Sequence, residues 1–280
     1  MRKILLSFFA FLFCLNGLCL GMNLNIPNIA PQGKCIAIQV SSPEGISRIE
    51  GQFLGQKFEC FRMGDDFKGI VGIPPEQKPG VYELSLIIDK GEGESSLVNN
   101  KVKVVKAKFP SVSFWLKPAK KKLLTADLIA QEWARIEKYL VVENLEQGWQ
   151  GKFMLPAKGP ASMAFGTIEY INKKLSGRHR GYDIAVPMGT EVAAPNNGKV
   201  VFAEKLKAFG GTMVLDHGQG IHTLYFHLSK FMAGIGQNVS KGDVIALSGN
   251  SGISSGPHLH WGISVHNLRV DPVQWTKYAF

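Results

Sequence analysis

The sequence predicts a mainly β fold: an N-terminal immunoglobulin-like β-sandwich, a helical connector and a second β-rich domain. Three observations predict it. Short apolar runs of strand length follow one another between Pro/Gly turns. Glycine is abundant, 31 of 280 residues, which favours turns and sheets over helical bundles. Only one stretch carries a clear helical stripe. The length suits two domains, each with its own core.

Residues 1–21 read as a secretory signal. Arg2 and Lys3 form a basic n-region, ILLSFFAFLFCL is an apolar h-region, Asn16 and Gly17 break it, and Gly21 marks a cleavage point. The run is short for a membrane span. Cys19 follows Asn16, Gly17 and Leu18, not the small residues that precede a lipidated cysteine. With no other long apolar stretch, no membrane span is expected after cleavage, and the mature chain is expected to be exported and soluble. Cys35 and Cys60 then remain, and an oxidising compartment favours their pairing as a disulfide.

Residues 22–110 hold the sandwich. CIAIQV, ISRIEGQFLGQKFECF, FKGIVGI, GVYELSLII and VNNKVKVVKAKF are separated by SSPEG, MGDD, PPEQKPG and DKGEGESS. In YELSLI, Tyr82, Leu84 and Leu86 share one face and Glu83 and Ser85 the other. This domain holds no cluster of reactive residues and reads as a spacer or binding module. Residues 111–148 form the connector. The basic run Lys117–Lys122 leads into a helix that Thr125 can cap, with Asp127 in its first turn and Leu128, Trp133, Ile136 and Leu140 on one stripe. This helix reads as a packing connector or as a segment that partly covers an active site.

Residues 149–280 are β-rich and dense in glycine, and they contain every histidine, seven in all. In SSGPHLHWG, His258 and His260 stand at i and i+2 at the head of an apolar run, so they face the same side of a strand. Two imidazoles so close fit a metal site or a shared catalytic task, or else two solvated groups on an exposed edge. GRHRGYDIAVP adds His179 and Asp183, with Gly181 letting the chain turn between them. In HTLYFHLS, strand parity puts Thr223, Tyr225 and His227 on one face, so Tyr225 lines a groove beside His227 or packs in the core. His222 is turned away to the surface. His217 and His266 read as turn or surface residues. Imidazole and carboxylate are good zinc ligands, and three protein ligands leave a position open for water. Two further histidines can then manage protons and the oxyanion.

HRGYDIAVPMGTEVAAPNNGKVV, TLYFHLS, VSKGDVIALSGNSG and SGPHLHWGI resemble the lysostaphin-type (LytM-like) zinc endopeptidases, over about Phe165 to Trp275. The resemblance implies an antiparallel β-sheet with a groove. It implies one zinc ion per chain, held by His179, Asp183 and His260, with His227 and His258 catalytic beside the metal-bound water. It leaves open which of the two is the general base. The implied reaction is hydrolysis of peptide bonds in peptidoglycan cross-links or stem peptides, in the periplasm or cell envelope or after secretion. The alternative is a non-catalytic or latent wall-binding activator of other hydrolases. Such proteins usually lack part of the constellation, whereas all five positions are filled here.

The formal charge is +10, and removal of Arg2 and Lys3 takes it to +8. For an exported chain this suits an anionic envelope. The basic residues are scattered with no recognition motif, so nucleic acid is not an expected partner. VSKGDVIA is also like the hairpin of lipoyl and biotinyl carriers, but no lysine stands in the turn that is modified there. The oligomeric state is not readable.

Overall fold

The structure is a computed structural model that describes residues 22–41, 45–91, 93–142 and 144–280. The expected signal lies outside the described residues. Among those described, no helix is long and apolar enough to cross a membrane.

The fold is mainly β. In the N-terminal part eight strands are hydrogen-bonded in the order Asn23–Asn25, Cys35–Ser41, Asp66–Gly72, Gln56–Met63, Arg48–Phe53, Gly80–Asp89, Ser95–Val105 and Ile29–Pro31. Gln56–Met63 turns the corner: residues up to Cys60 pair with Arg48–Phe53, and Phe61 to Met63 pair with Asp66–Gly72. The sheet thereby folds over on itself around one apolar cluster, with Ile38, Ile49, Phe58, Leu84, Leu86 and Val102 inside. The cause is period-2 patterning, seen in Arg48–Phe53, where exposed and buried residues alternate without a break.

Cys35 and Cys60 are both free and buried, which corrects the expected disulfide. The strand Asp66–Gly72 lies between theirs, and two strand spacings of about 4.8 Å exceed the reach of a disulfide. Their side chains also enter different cores. Cys60 belongs to the sandwich, whereas Cys35 joins the cluster of the C-terminal part, with Ile70 and Trp275. Burial pushes the Cys60 thiol up to about 12.

That shared cluster fuses the two parts. The side chain of Gln274 both accepts from the Cys35 N–H (2.7 Å) and donates to the Cys35 carbonyl (2.9 Å), as a neighbouring strand would. Lys34 pairs with Asp271, and Arg180 makes a bidentate pair with Glu76 at 2.7 and 3.2 Å.

The C-terminal part is an antiparallel sheet in the order Ala161–Met163, Tyr182–Ile184, Leu259–Val265, Ile221–Leu228, Gly211–Gly218, Gly198–Lys205 and Asn238–Val239, with Leu268–Val270 also paired to Leu259–Val265. Its central strands are covered on both faces, and every residue of Ile221–Leu228 and Leu259–Val265 is buried. One face carries Met213, Leu215, Tyr225, Trp261 and Ile263 against Trp149 and Trp275. The other carries Phe202, Val214, Leu224 and Phe226.

The connector helix spans Ala126–Leu140 and is capped by Thr125, whose hydroxyl accepts from the Leu128 N–H at 3.4 Å. Ile136, Leu140 and Trp133 pack on the second face, beside Phe202, Phe209 and Phe226. Ahead of it come a strand, Ser111–Phe114, which pairs in parallel with Ile168–Ile171, and a one-turn helix, Pro118–Lys121.

Candidate metal and catalytic centre

The two central strands explain how residues distant in sequence converge. Asp183 stands in Tyr182–Ile184 directly opposite His260, and Phe226 stands opposite His260 from the other side. His179 follows Lys174–Arg178 and is brought back over Asp183 by the turn at Arg180 and Gly181. His179 Nε2, Asp183 Oδ1 and His260 Nδ1 then lie 2.9–3.0 Å from one another. All three residues are buried.

Gly181 is required by this approach. A Cβ there would stand 2.5 Å from His260 Nε2 and 2.7 Å from the Trp261 carbonyl oxygen. Phe226 stacks on the His260 ring, with centroids 4.9 Å apart and planes 16° apart.

The three groups perturb one another strongly. Burial works against the Asp183 carboxylate, but His179 and His260 outweigh it and hold its pKa well below the usual range. Burial also opposes the His179 cation, yet Asp183 and then Glu169 raise its pKa. Burial lowers His260 to about 4 against the pull of Asp183. Two imidazole nitrogens and one carboxylate oxygen are the donor set of a three-residue zinc site. His179 Nδ1 can donate to the Ala164 carbonyl at 3.2 Å, which turns its Nε2 lone pair toward the centre. The same demand leaves His260 Nε2 carrying its hydrogen, and that atom is buried without a hydrogen-bond partner. The residues present fit a divalent metal.

The other two histidines stand beside this triangle. His258 Nε2 is 3.6 Å from Asp183 Oδ2, and the His258 and His227 rings are 4.8 Å apart. His258 Nδ1 donates to the Gly256 carbonyl at 2.9 Å, with Ser254 Oγ at 3.2 Å. His227 Nδ1 donates to the Ser251 carbonyl at 2.8 Å. Both rings are thereby oriented with Nδ1 as the donor and Nε2 turned away from these carbonyls. Burial, then His258 and His260, lower the His227 pKa to about 3, so it stays neutral.

Strand parity misplaces His227. The ladder slips between residues 225 and 228, and His227 takes φ +64°. This bulge reverses the alternation, so His227 turns to the face of Phe226 and His260, not to that of Tyr225. Tyr225 is fully buried in the opposite core, where its hydroxyl meets Thr223 Oγ1 at 2.8 Å. It does not line a groove. His222 and His217 are not surface residues either, each being 1% exposed. His222 lies 3.7 Å from Asp216, and His217 contacts Thr223 Oγ1 and the Asn197 carbonyl at 2.8 and 2.6 Å. Both sit on strands covered from both sides. His266 is a turn residue with φ +46°, near the Ile70 carbonyl.

Sequence reasoning missed several residues around the centre. Glu169 is held up by burial and interacts with His179 and Asp183. Arg269 is buried, donates to the Arg180 carbonyl at 2.7 Å and lies 5.9 Å over the Phe226 ring. Glu132, on the connector helix, is 5% exposed. It interrupts the apolar row Leu128, Ile136, Leu140 at helical spacing, and that interruption was its one visible signal. A cavity of about 420 Å³ opens between Gly210, Leu228, Asn250 and Ser251, the last of which supplies the carbonyl that meets the His227 ring.

Residues 177–272 match Peptidase family M23. This bears out the resemblance read from the motifs, and the matched stretch contains His179, Asp183, His227, His258 and His260. A Haemophilus influenzae protein described as an uncharacterized metalloprotease is 45% identical over 96 residues, 34% of this chain and 20% of that protein. The peptidoglycan DD-endopeptidase ShyA of Vibrio cholerae is 41% identical over 96 residues, 34% of this chain and 22% of that enzyme. The match thus spans about a fifth of the length of these curated relatives. A crystal structure from Pseudomonas aeruginosa, of a protein assigned by inference to peptidase M23, is 26% identical with a TM-score of 0.66, covering 89% of this chain and 95% of that one.

Proposed function

We propose that this chain is a zinc-dependent endopeptidase that cleaves peptide bonds in peptidoglycan cross-links or stem peptides. The observation that carries the proposal is the convergence of His179, Asp183 and His260 within 3.0 Å of one another, with two further histidines, each oriented through Nδ1, beside them. Peptidase family M23 and the ShyA relative support hydrolysis and the peptidoglycan substrate.

His179, Asp183 and His260 would hold one zinc ion. When bound, zinc supplies Lewis acidity to the scissile carbonyl and to a water molecule. The remaining work falls to this chain's own groups. Of His227 and His258, one takes the water proton at Nε2, and the other steadies the oxyanion or returns a proton to the leaving amine. Their Nδ1–H bonds to Ser251 and Gly256 fix the tautomer, so neither ring reorients before reaction. The cavity at Ser251 is wide enough for a peptide side chain, and the triad itself is buried.

Action at the cell envelope follows from this substrate, with residues 1–21 as the export signal. A non-catalytic activator would have no need of five aligned side chains, so the hydrolytic reading is favoured. The deciding experiment incubates purified residues 22–280 with isolated peptidoglycan and measures zinc content alongside released muropeptides. About one zinc per chain with release of peptide-cleaved products is the expected result. Zinc binding without any release would favour the regulator.

A further inference from the structure

We infer that Glu132, on the connector helix, is a positioning residue for His227. The inference rests on the hydrolytic reading of the site and extends it to a segment outside residues 177–272.

The Glu132 carboxylate is buried and accepts three backbone N–H groups: Lys207 at 2.7 Å, Ala208 at 2.8 Å and Phe209 at 3.3 Å. A buried carboxylate needs such donors, and hydrogen bonds to a charged acceptor are the strong ones. The loop between Gly198–Lys205 and Gly211–Gly218 is therefore pinned to the helix. That loop reaches His227 directly, because the Phe209 carbonyl accepts the His227 N–H at 3.1 Å. It also holds the neighbouring loop: Ile253 N donates to the Ala208 carbonyl at 2.7 Å, and Gly211 N to Ser251 Oγ at 2.9 Å. Ser251 in turn supplies the carbonyl that orients the His227 ring.

Both bonds that place His227 thus end on loops tied to Glu132. His227 needs them, because a non-glycine residue at φ +64° persists only where its surroundings over-determine it. A ring series runs in parallel. Trp133, next to Glu132, meets Phe209 at 6.2 Å, Phe209 meets Phe226 at 4.9 Å, and Phe226 lies on His260. Lys120 makes a second grip, donating to the carbonyl and side-chain oxygen of Asn250, each at 2.7 Å.

The test compares Glu132→Gln with Thr125→Ala, which loosens the same helix at its capped start, away from the loop. Both are made in the chain 22–280 with zinc bound. Turnover on peptidoglycan, zinc content and residue-resolved amide exchange are measured. For Glu132→Gln we expect kcat to fall at least tenfold, KM to stay within twofold and zinc to remain bound. Exchange should quicken at residues 207–209 and at His227. Thr125→Ala should lower Tm, as loss of a helix cap does, while keeping kcat within about twofold. Equal kcat losses in the two variants, or unchanged exchange at His227 in Glu132→Gln, would overturn the inference. If Glu132→Gln fails to fold, Glu132→Asp takes its place, with the same exchange pattern expected and the same two results overturning it. If the unmutated chain releases nothing, the hydrolytic reading fails, and exchange at His227 alone decides whether Glu132 positions it.

Discussion

His260 Nδ1 and Asp183 Oδ1 lie 2.9 Å apart because their residues are directly opposed on neighbouring antiparallel strands. A sheet register, not a flexible loop, therefore sets one edge of the donor triangle. Such an edge resists disturbance, and single side chains can be removed without dispersing the rest.

That rigidity separates the two histidines of HLH. His260→Ala removes a donor from the triangle and is expected to lose both bound metal and activity. His258→Ala keeps all three donors and is expected to bind zinc at full stoichiometry while kcat falls about 10²–10⁴-fold, as for a lost acid–base group. Metal analysis on dialysed protein, beside turnover, checks both. Full zinc in His260→Ala would overturn the ligand assignment.

Gly181→Ala tests the close approach at the same centre. The added methyl would stand 2.5 Å from His260 Nε2 and 2.7 Å from the Trp261 carbonyl oxygen, so both the ring and the neighbouring backbone must give way. Overpacking of this kind costs about 1–3 kcal/mol. The expected result is a lower Tm together with weaker metal retention in a chelator titration. Unchanged chelator resistance would mean that the ring does not have to stay where it stands.

The candidate donor pair HxxxD and the strand character of LHWGISV were legible because both depend on residue type and local spacing. The roles proposed for the five site residues came through resemblance to a family, not through spacing alone. What was not legible depends on the backbone or on distant chain. The bulge that turns His227 away from Tyr225 is a slip of one strand against its partner, which alternation cannot register. His217 and His222 looked superficial because a single strand does not say how many layers cover it. Cys35 and Cys60 looked like a pair because the intervening strand comes later in the chain. Glu132 was visible only as a flaw in an apolar stripe, since its three partners lie some 75 residues onward.

Acid should weaken the fold before it disrupts the strands. His217 is fully buried and neutral, and burial lowers its pKa from an ordinary 6.5 to about 4. Its neighbours suit the neutral ring, since Nδ1 donates to Asn197 and Nε2 faces the Thr223 hydroxyl. A histidine with a depressed pKa contributes stability that is present above pH 6.5. The contribution is lost as pH falls through about 4, because the unfolded chain takes the proton first. The displacement is on the order of 3 kcal/mol. Denaturant unfolding at pH 7, 5 and 4 should show a steady loss over that window. His217→Gln, less stable at pH 7, should show a shallower one, and an equal slope in both would exclude His217 as its source.

Tyr225→Phe separates the strand-parity reading from the bulged structure. If Tyr225 lined the groove with His227, losing its hydroxyl would change KM or kcat. In the structure the hydroxyl faces the other side of the sheet and ends a buried chain through Thr223 to His217. Thr223 can still donate to His217 after the substitution, so one hydrogen bond is lost and no buried donor is stranded. The expected result is a loss of about 1 kcal/mol in unfolding free energy, with turnover and zinc content unchanged. A tenfold fall in kcat at unchanged stability would mean that the face of Tyr225 reaches the reacting groups after all.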